Sequence, residues 1–283
     1  MRGRPRQLRR VRPRRAVPGT PAPARQTSRL ALRFVALGYL GVLLLVPVGL
    51  VFWRTFEHGL APVWASVTTP AAIHAFWLTV EVAAIAVPLN ALFGVIAALA
   101  LVRGRFRGKW LLDALIDLPF AVSPVVVGLA LLLVYGRSGW LSELPVQVIF
   151  AVPGIVLATV FVSLPFVARE VAPVLREVGD EQEQAAATLG ASRWQAFWRV
   201  TLPSIRWGLA YGVVLSTARA LGEFGAVSVV SGKIAGQTET LTLLVEKRFE
   251  NFDLAGAYAA STLLALIALA TLLAMTALRR RAE

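Results

Sequence analysis

Arg219 and Glu223 stand four residues apart in a stretch, residues 205–231, that is otherwise mostly apolar or small. At that spacing the two side chains share one face of a helix. A charge near the middle of a bilayer costs about 2.5–3.5 kcal/mol, so neither group would face hydrocarbon. Two chemistries remain. The charges neutralise each other as a packed pair, or Arg219 lines or gates a path for an anion, with hydroxyl donors from Ser216, Thr217, Ser228 and Ser231. Gly222 and Gly225 would let another helix come close.

A second set of residues lies in residues 178–203, a polar interruption too long for a simple loop. Asp180 with Glu183 has the form of a capping box, and Asp180, Glu181 and Glu183 put negative charge at the positive end of a helix dipole. Ala185, Ala186 and Ala187 favour helix and carry almost no side chain, and Gly190 then stops it, as glycine does in the left-handed position after a C-terminus. Ser192 with Gln195 opens a second helix holding Trp194, Phe197, Trp198 and Val200, which Pro203 is predicted to break, starting the next span. A short alanine-faced helix suits insertion into a groove of another protein. An amphipathic hairpin lying in the lipid interface is the alternative.

Other chemistry is not visible. Gly108-Lys109 and Gly232-Lys233 lack the glycine and the Ser or Thr of a phosphate-binding loop. His58 and His74 read as interfacial side chains rather than a metal pair. There is no cysteine and no nucleophile-elbow sequence. No catalytic or metal-binding residue, and no enzyme active site within the chain itself, is expected on these grounds.

The elements that must position these residues are predicted to be transmembrane helices. The chain has 283 residues, 57% of them hydrophobic, with several uncharged apolar runs long enough to span a bilayer. The spans are predicted at about 34–53, 75–102, 111–135, 146–168, 205–231 and 254–278. Pro88 is predicted to kink the second. Residues 56–74 suit an exposed interfacial segment, and Glu81, Asp113 and Asp117 suit interface-level charges or helix caps. Residues 1–33 carry eleven arginines and no acid. With their prolines, residues 1–29 read as a disordered basic arm held by the cytoplasmic membrane surface, a transit peptide being the alternative. With the N-terminus inside, 23 basic residues fall on the inner side and five on the outer, which supports six spans with both ends cytoplasmic. This also accounts for the net charge of +13 without nucleic acid as a partner. Residues 231–253 read as a docking surface or a solvated loop.

Within the polar interruption, Gln184-Ala185-Ala186, three residues, Gly190, nine residues, and Val200-Thr201-Leu202-Pro203 match in spacing the Glu-Ala-Ala motif of ATP-binding-cassette importer permeases. Gln184 replaces the glutamate and Val200 an isoleucine. The adjacent Glu183 lies about 100° round the helix from Gln184. Further segments resemble the sulfate/thiosulfate importer permeases, their W-type subunit most closely. These are residues 116–126, residues 150–154 leading to 166–170, and residues 218–232. The likeness covers residue 30 to the end, with residues 1–29 outside it.

The resemblance implies an all-α integral membrane protein with the six transmembrane helices of the type I importer permease fold, in the bacterial inner membrane. Glu183, Gln184, Ala185, Ala186, Gly190, Leu202 and Pro203 would form the region that couples to an ATPase. Arg219, Glu223 and Ser228 would belong to the translocation pathway or gate. The implied partners are a second homologous permease, two ATPase subunits that carry ATP and Mg, and an external sulfate-binding protein. This chain would bind no cofactor. The implied function is import of sulfate or thiosulfate. Molybdate or tungstate import, and anion transport without ATP, are the alternatives.

Overall fold

A computed structural model describes residues 26–143 and 145–282. The described residues form helices and turns, and no strand occurs among them. Two compact units divide the chain, the first ending at Gly49 and the second beginning at Leu50. In the first, residues 26–49 make up most of α1 (Gln26–Phe56). The second holds the end of α1 and α2 (Leu60–Val67), α3 (Pro70–Arg103), α4 (Lys109–Ala121), α5 (Pro124–Tyr135) and α6 (Val152–Val178). It continues with α7 (Glu181–Thr188), α8 (Arg193–Ala196), a π-turn (Phe197–Thr201), α9 (Leu202–Leu221), α10 (Val227–Val230), α11 (Leu241–Glu250) and α12 (Leu254–Ala282). The predicted arm 1–29 lies, as far as residue 25, outside the described residues.

Four helical stretches are long and apolar enough to cross a membrane: Arg33–Phe56, α3, α6 and Leu254–Thr271. The pair α4 and α5 makes a fifth if it counts as one span, but it is bent by 111°. A continuous span over 111–135 is therefore corrected. Val122 and Ser123 are extended, with ψ of 133° and 134°. The ring of Pro124 disfavours helical backbone in the residue before it, and proline is well placed to start a new helix. Pro88, Pro119, Pro165 and Pro173 all lie inside helices.

Three other boundaries move for identifiable reasons. α3 begins at Pro70 rather than 75, because Pro70 occupies the first turn and the Thr69 hydroxyl accepts from the Ala72 amide at 3.3 Å. α6 runs from 152 to 178 rather than 146 to 168. Phe150 before it is left-handed (φ 59°), and its amide donates to the Val230 carbonyl at 2.8 Å. At the far end the helix passes Arg169 because that charge is paired with Asp113 and Asp117. α9 ends at Leu221, not 231. Gly222 closes it, and the Glu223 carboxylate takes the Ala226 amide at 2.9 Å, turning the chain toward α10.

The packing centre is α6. Val167 is fully buried between α3 and α9. A Cβ on Gly94 would stand 2.6 Å from the Val167 Cβ, and one on Gly212 would stand 2.8 Å from the Val167 Cα. Small residues at these crossings let the three backbones approach, as helix packing in lipid requires. Val95, Ala98, Val171, Ala172, Leu175 and Ile205 complete this cluster. Overpacking costs about 1–3 kcal/mol. Gly94→Val should therefore lower the thermal unfolding temperature of the detergent-solubilised protein, with Gly94→Ala intermediate. Equal melting temperatures for all three would contradict the close crossing.

Candidate functional site

The polar interruption forms α7, α8 and the π-turn. α7 spans eight residues, about 12 Å, and none of them is buried. Gln184 and Ala185 are exposed and Ala186 half-buried, while Leu189 at the end of the helix is 88% exposed. The stop at Gly190 forms as the sequence predicts. Gly190 has φ +83°, its amide donates to the Ala187 carbonyl, and the Ala191 amide donates to that of Ala186, each at 3.0 Å. This pairing satisfies carbonyls left open at the helix end.

The predicted Asp180–Glu183 box is corrected: the Asp180 side chain makes no capping bond. Glu183 turns inward instead. Its Oε1 accepts from Arg103 Nη2 at 3.3 Å and from the Thr201 hydroxyl at 2.9 Å. A buried-side cation offers the carboxylate more than a neutral amide on the exposed face. Glu183 is thus engaged within the chain, while Gln184 faces outward. The Ser192–Gln195 box is present in full.

Pro203 stands in the first turn of α9, as the sequence predicts, but the chain stays helical ahead of it instead of breaking. The π-turn Phe197–Thr201 lies just ahead of it, with the Leu202 amide donating to the Phe197 carbonyl, and α9 continues through Pro203. The wider turn accommodates a residue that has no N–H to give and whose ring crowds the preceding turn. Leu202 is half-buried and Pro203 exposed at the start of α9. Trp194 packs on Phe197 and Trp198, with ring centroids 6.2 and 5.4 Å away.

Arg219 and Glu223 do form a pair, at 2.6 Å, as the four-residue spacing indicates. Their environments differ. The Glu223 side chain is 2% exposed and that of Arg219 31%. The Thr242 hydroxyl donates to the Glu223 carbonyl at 2.8 Å, tying the break after α9 to α11. Arg219 borders a cavity of about 470 Å³ walled by Pro119, Phe120, Ser123, Pro124, Val162 and Phe166. The cavity therefore sits at the break between α4 and α5, and Arg219 reaches it from the last turn of α9. The two breaks lie together: a Cβ on Gly225 would stand 2.9 Å from the Pro124 Cβ. The α5 N-terminus opens there, and such an end favours negative charge. Ser228 is not among the residues lining the cavity; its hydroxyl donates to the Gly225 carbonyl at 2.9 Å. Ser216 is fully buried.

Two charge clusters escaped sequence reasoning. Arg169 on α6 clamps Asp117 through Nε (2.7 Å) and Nη2 (2.5 Å) and reaches Asp113 through Nη1 (2.9 Å). Asp113 and Asp117 are four apart, a spacing that could have signalled two carboxylates on one face awaiting a cation. Arg103 with Glu183 had no such signal.

The geometry defines a multi-helix protein with several helices of membrane-crossing length, a short helix with no buried residue in its polar interruption, and a cation-bordered cavity at two helix breaks. Residues 90–283 match the family of binding-protein-dependent transport system inner membrane components, and the chain belongs to that family. It is 51% identical, over 87% of its length and 91% of the relative's, to the sulfate transport system permease protein CysW of Synechocystis sp.. It is 38% identical, over 87% of its length and 90% of the relative's, to the sulfate transport system permease protein CysT of Escherichia coli K12. In fold it resembles a chain in the crystal structure of a bacterial alginate ABC transporter in complex with an alginate pentasaccharide-bound periplasmic protein. That match has a TM-score of 0.75 at 16% identity and covers 91% of this chain and 95% of the other.

Proposed function

We propose that this chain is the W-type permease subunit of an ATP-driven sulfate importer of the inner membrane, with thiosulfate as a second substrate. The observation that carries the substrate is the 51% identity to a sulfate permease across nearly the whole chain. The topology proposed is six spans with both termini cytoplasmic, α4 with α5 forming the third and α9 the fifth. Residues 1–29 form a cytoplasmic arm, and the transporter domain begins at residue 30. A second, homologous permease completes the pathway. The likeness to a CysT chain as well as a CysW chain supports such a pair. An external binding protein delivers the anion, and two ATPase subunits bind ATP with Mg on the cytoplasmic side.

In this reading α7 is the coupling helix. Gln184, Ala185 and Ala186 present a small, easily desolvated face, Gly190 sets where it ends, and Leu202 and Pro203 lead its movement into α9. Closure of the ATPases draws the two coupling helices together, and the spans turn from inward-open to outward-open. Arg219 faces the anion across the cavity, with the α5 N-terminus adding positive potential. Glu223 holds Arg219 in place and Ser228 stabilises the neighbouring turn. The chain supplies pathway and lever, while hydrolysis belongs to the partner.

Co-purification tests the assembly. The chain expressed with its genomic neighbours should carry down an ATPase and a second permease. Leu189→Asp, which puts a charge on the most exposed apolar side chain of this region, should release the ATPase and leave the second permease bound. Retention of the ATPase at wild-type levels would contradict the assignment of α7.

A further inference from the structure

We propose that Arg103 is the strut that passes the displacement of α7 to α3, α6 and α9 together; this rests on the reading of α7 as the coupling helix. Arg103 lies outside the motif that marks the coupling region and directly follows the predicted span 75–102. In the structure it ends α3, and its guanidinium donates to three acceptors. These are the Leu175 carbonyl at 3.3 Å, the Gly179 carbonyl, and Glu183 Oε1 at 3.3 Å. The first two acceptors lie at the C-terminal end of α6, where carbonyls lack partners within the helix and a cation is favoured. The third belongs to α7. The same Glu183 oxygen accepts from Thr201 in the π-turn that leads into α9. One guanidinium and one carboxylate oxygen therefore join the ends of α3 and α6, the start of α9, and α7.

The strut matters because α7 has little else to hold it. It has no buried residue. Its flanking glycines, Gly179 (φ +69°) and Gly190 (φ +83°), are the positions at which the chain bends on either side of it. Glycines at the ends of an element can absorb a large backbone change. A force on α7 would rotate it about those glycines unless a rigid link carried the force onward. The planar guanidinium fork, anchored on two backbone carbonyls and one carboxylate, is such a link, and an ammonium cannot reproduce it. Beyond the strut, α3, α6 and α9 meet at Val167 through Gly94 and Gly212, so they respond as one packed body. α9 carries Arg219 to the cavity.

The test uses the complete complex of permeases, ATPases and binding protein in liposomes, with ATP hydrolysis and sulfate uptake measured on the same vesicles. Arg103→Gln removes the cation and the fork. Thr201→Val removes only the hydroxyl. Arg103→Lys keeps the charge without the fork. The ATP consumed per sulfate imported should rise about three- to tenfold in Arg103→Gln, and less in Thr201→Val and Arg103→Lys, with the ATPase still bound. An unchanged ratio in Arg103→Gln and Thr201→Val would overturn the strut. Loss of the Arg103→Gln complex during purification, together with an unchanged ratio in Thr201→Val, would make Arg103 a helix cap only and also overturn it. Leu189→Asp separates the two levels: an ATPase that stays bound there overturns the reading of α7 itself, whereas unchanged ratios at Arg103 and Thr201 overturn the strut alone.

Discussion

Arg219→Leu should abolish sulfate uptake while the equivalent double change, Arg219→Leu with Glu223→Leu, restores the folded protein but not transport. The single change leaves Glu223, only 2% exposed, without the cation 2.6 Å away. Breaking a buried pair by removing one partner costs about 3–5 kcal/mol, most of it from the stranded charge. The double change removes the stranded charge, so the melting temperature should return toward that of the parent. Transport should stay low, because the cavity then lacks the cation proposed to face the anion. Purified complexes compared by thermal unfolding and by uptake distinguish the readings. Recovery of both stability and transport in the double variant would reduce the pair to mutual neutralisation and remove Arg219 from the pathway.

Gly190→Val should separate ATP hydrolysis from transport without loss of membrane insertion. Nothing lies within 4 Å of a Cβ built at this position, so the side chain itself meets no obstacle. The cost comes from the backbone. A φ of +83° is left-handed, and for an L-residue this region costs about 1–2 kcal/mol, more for a β-branched one. The turn that brings the Gly190 and Ala191 amides back to α7 should open, and the exposed end of the helix, with Leu189, should move. Gly190→Asn should retain most of the coupling, since asparagine tolerates the left-handed region. Uptake and hydrolysis measured on the same vesicles check this, with insertion followed by membrane fractionation. Equal coupling in the valine and asparagine variants would show that the left-handed turn is not what positions α7.

Features set by neighbours in the chain were legible before the structure. The left-handed Gly190, the Ser192–Gln195 box and the Arg219–Glu223 pair all depend on spacings of three or four residues, which a helix converts directly into proximity. Apolar runs likewise located the major helices. Proline was read less well, because its effect depends on position. Pro70 and Pro124 start helices and Pro203 follows a π-turn, whereas Pro88, Pro119, Pro165 and Pro173 lie inside helices. Sequence alone does not say which backbone groups a neighbouring turn will satisfy. The break at Val122 and Ser123 was missed for this reason, and with it the cavity. Charge partners far apart in the chain were also out of reach. Arg103 meets Glu183 across 80 residues and Arg169 meets Asp117 across 52. Asp180 and Glu183 showed the converse error: their spacing suited a local box, but the cation on α3 competed for the carboxylate and won it.

The proposed function requires that this chain move sulfate only as part of an ATP-driven assembly. Uptake of labelled sulfate into liposomes tests it most directly, comparing this chain alone with the chain joined by its second permease, ATPases and binding protein, each with and without ATP. The expected result is uptake only in the complete assembly with ATP. Uptake by the chain alone, or uptake by the assembly that does not depend on ATP, would contradict it.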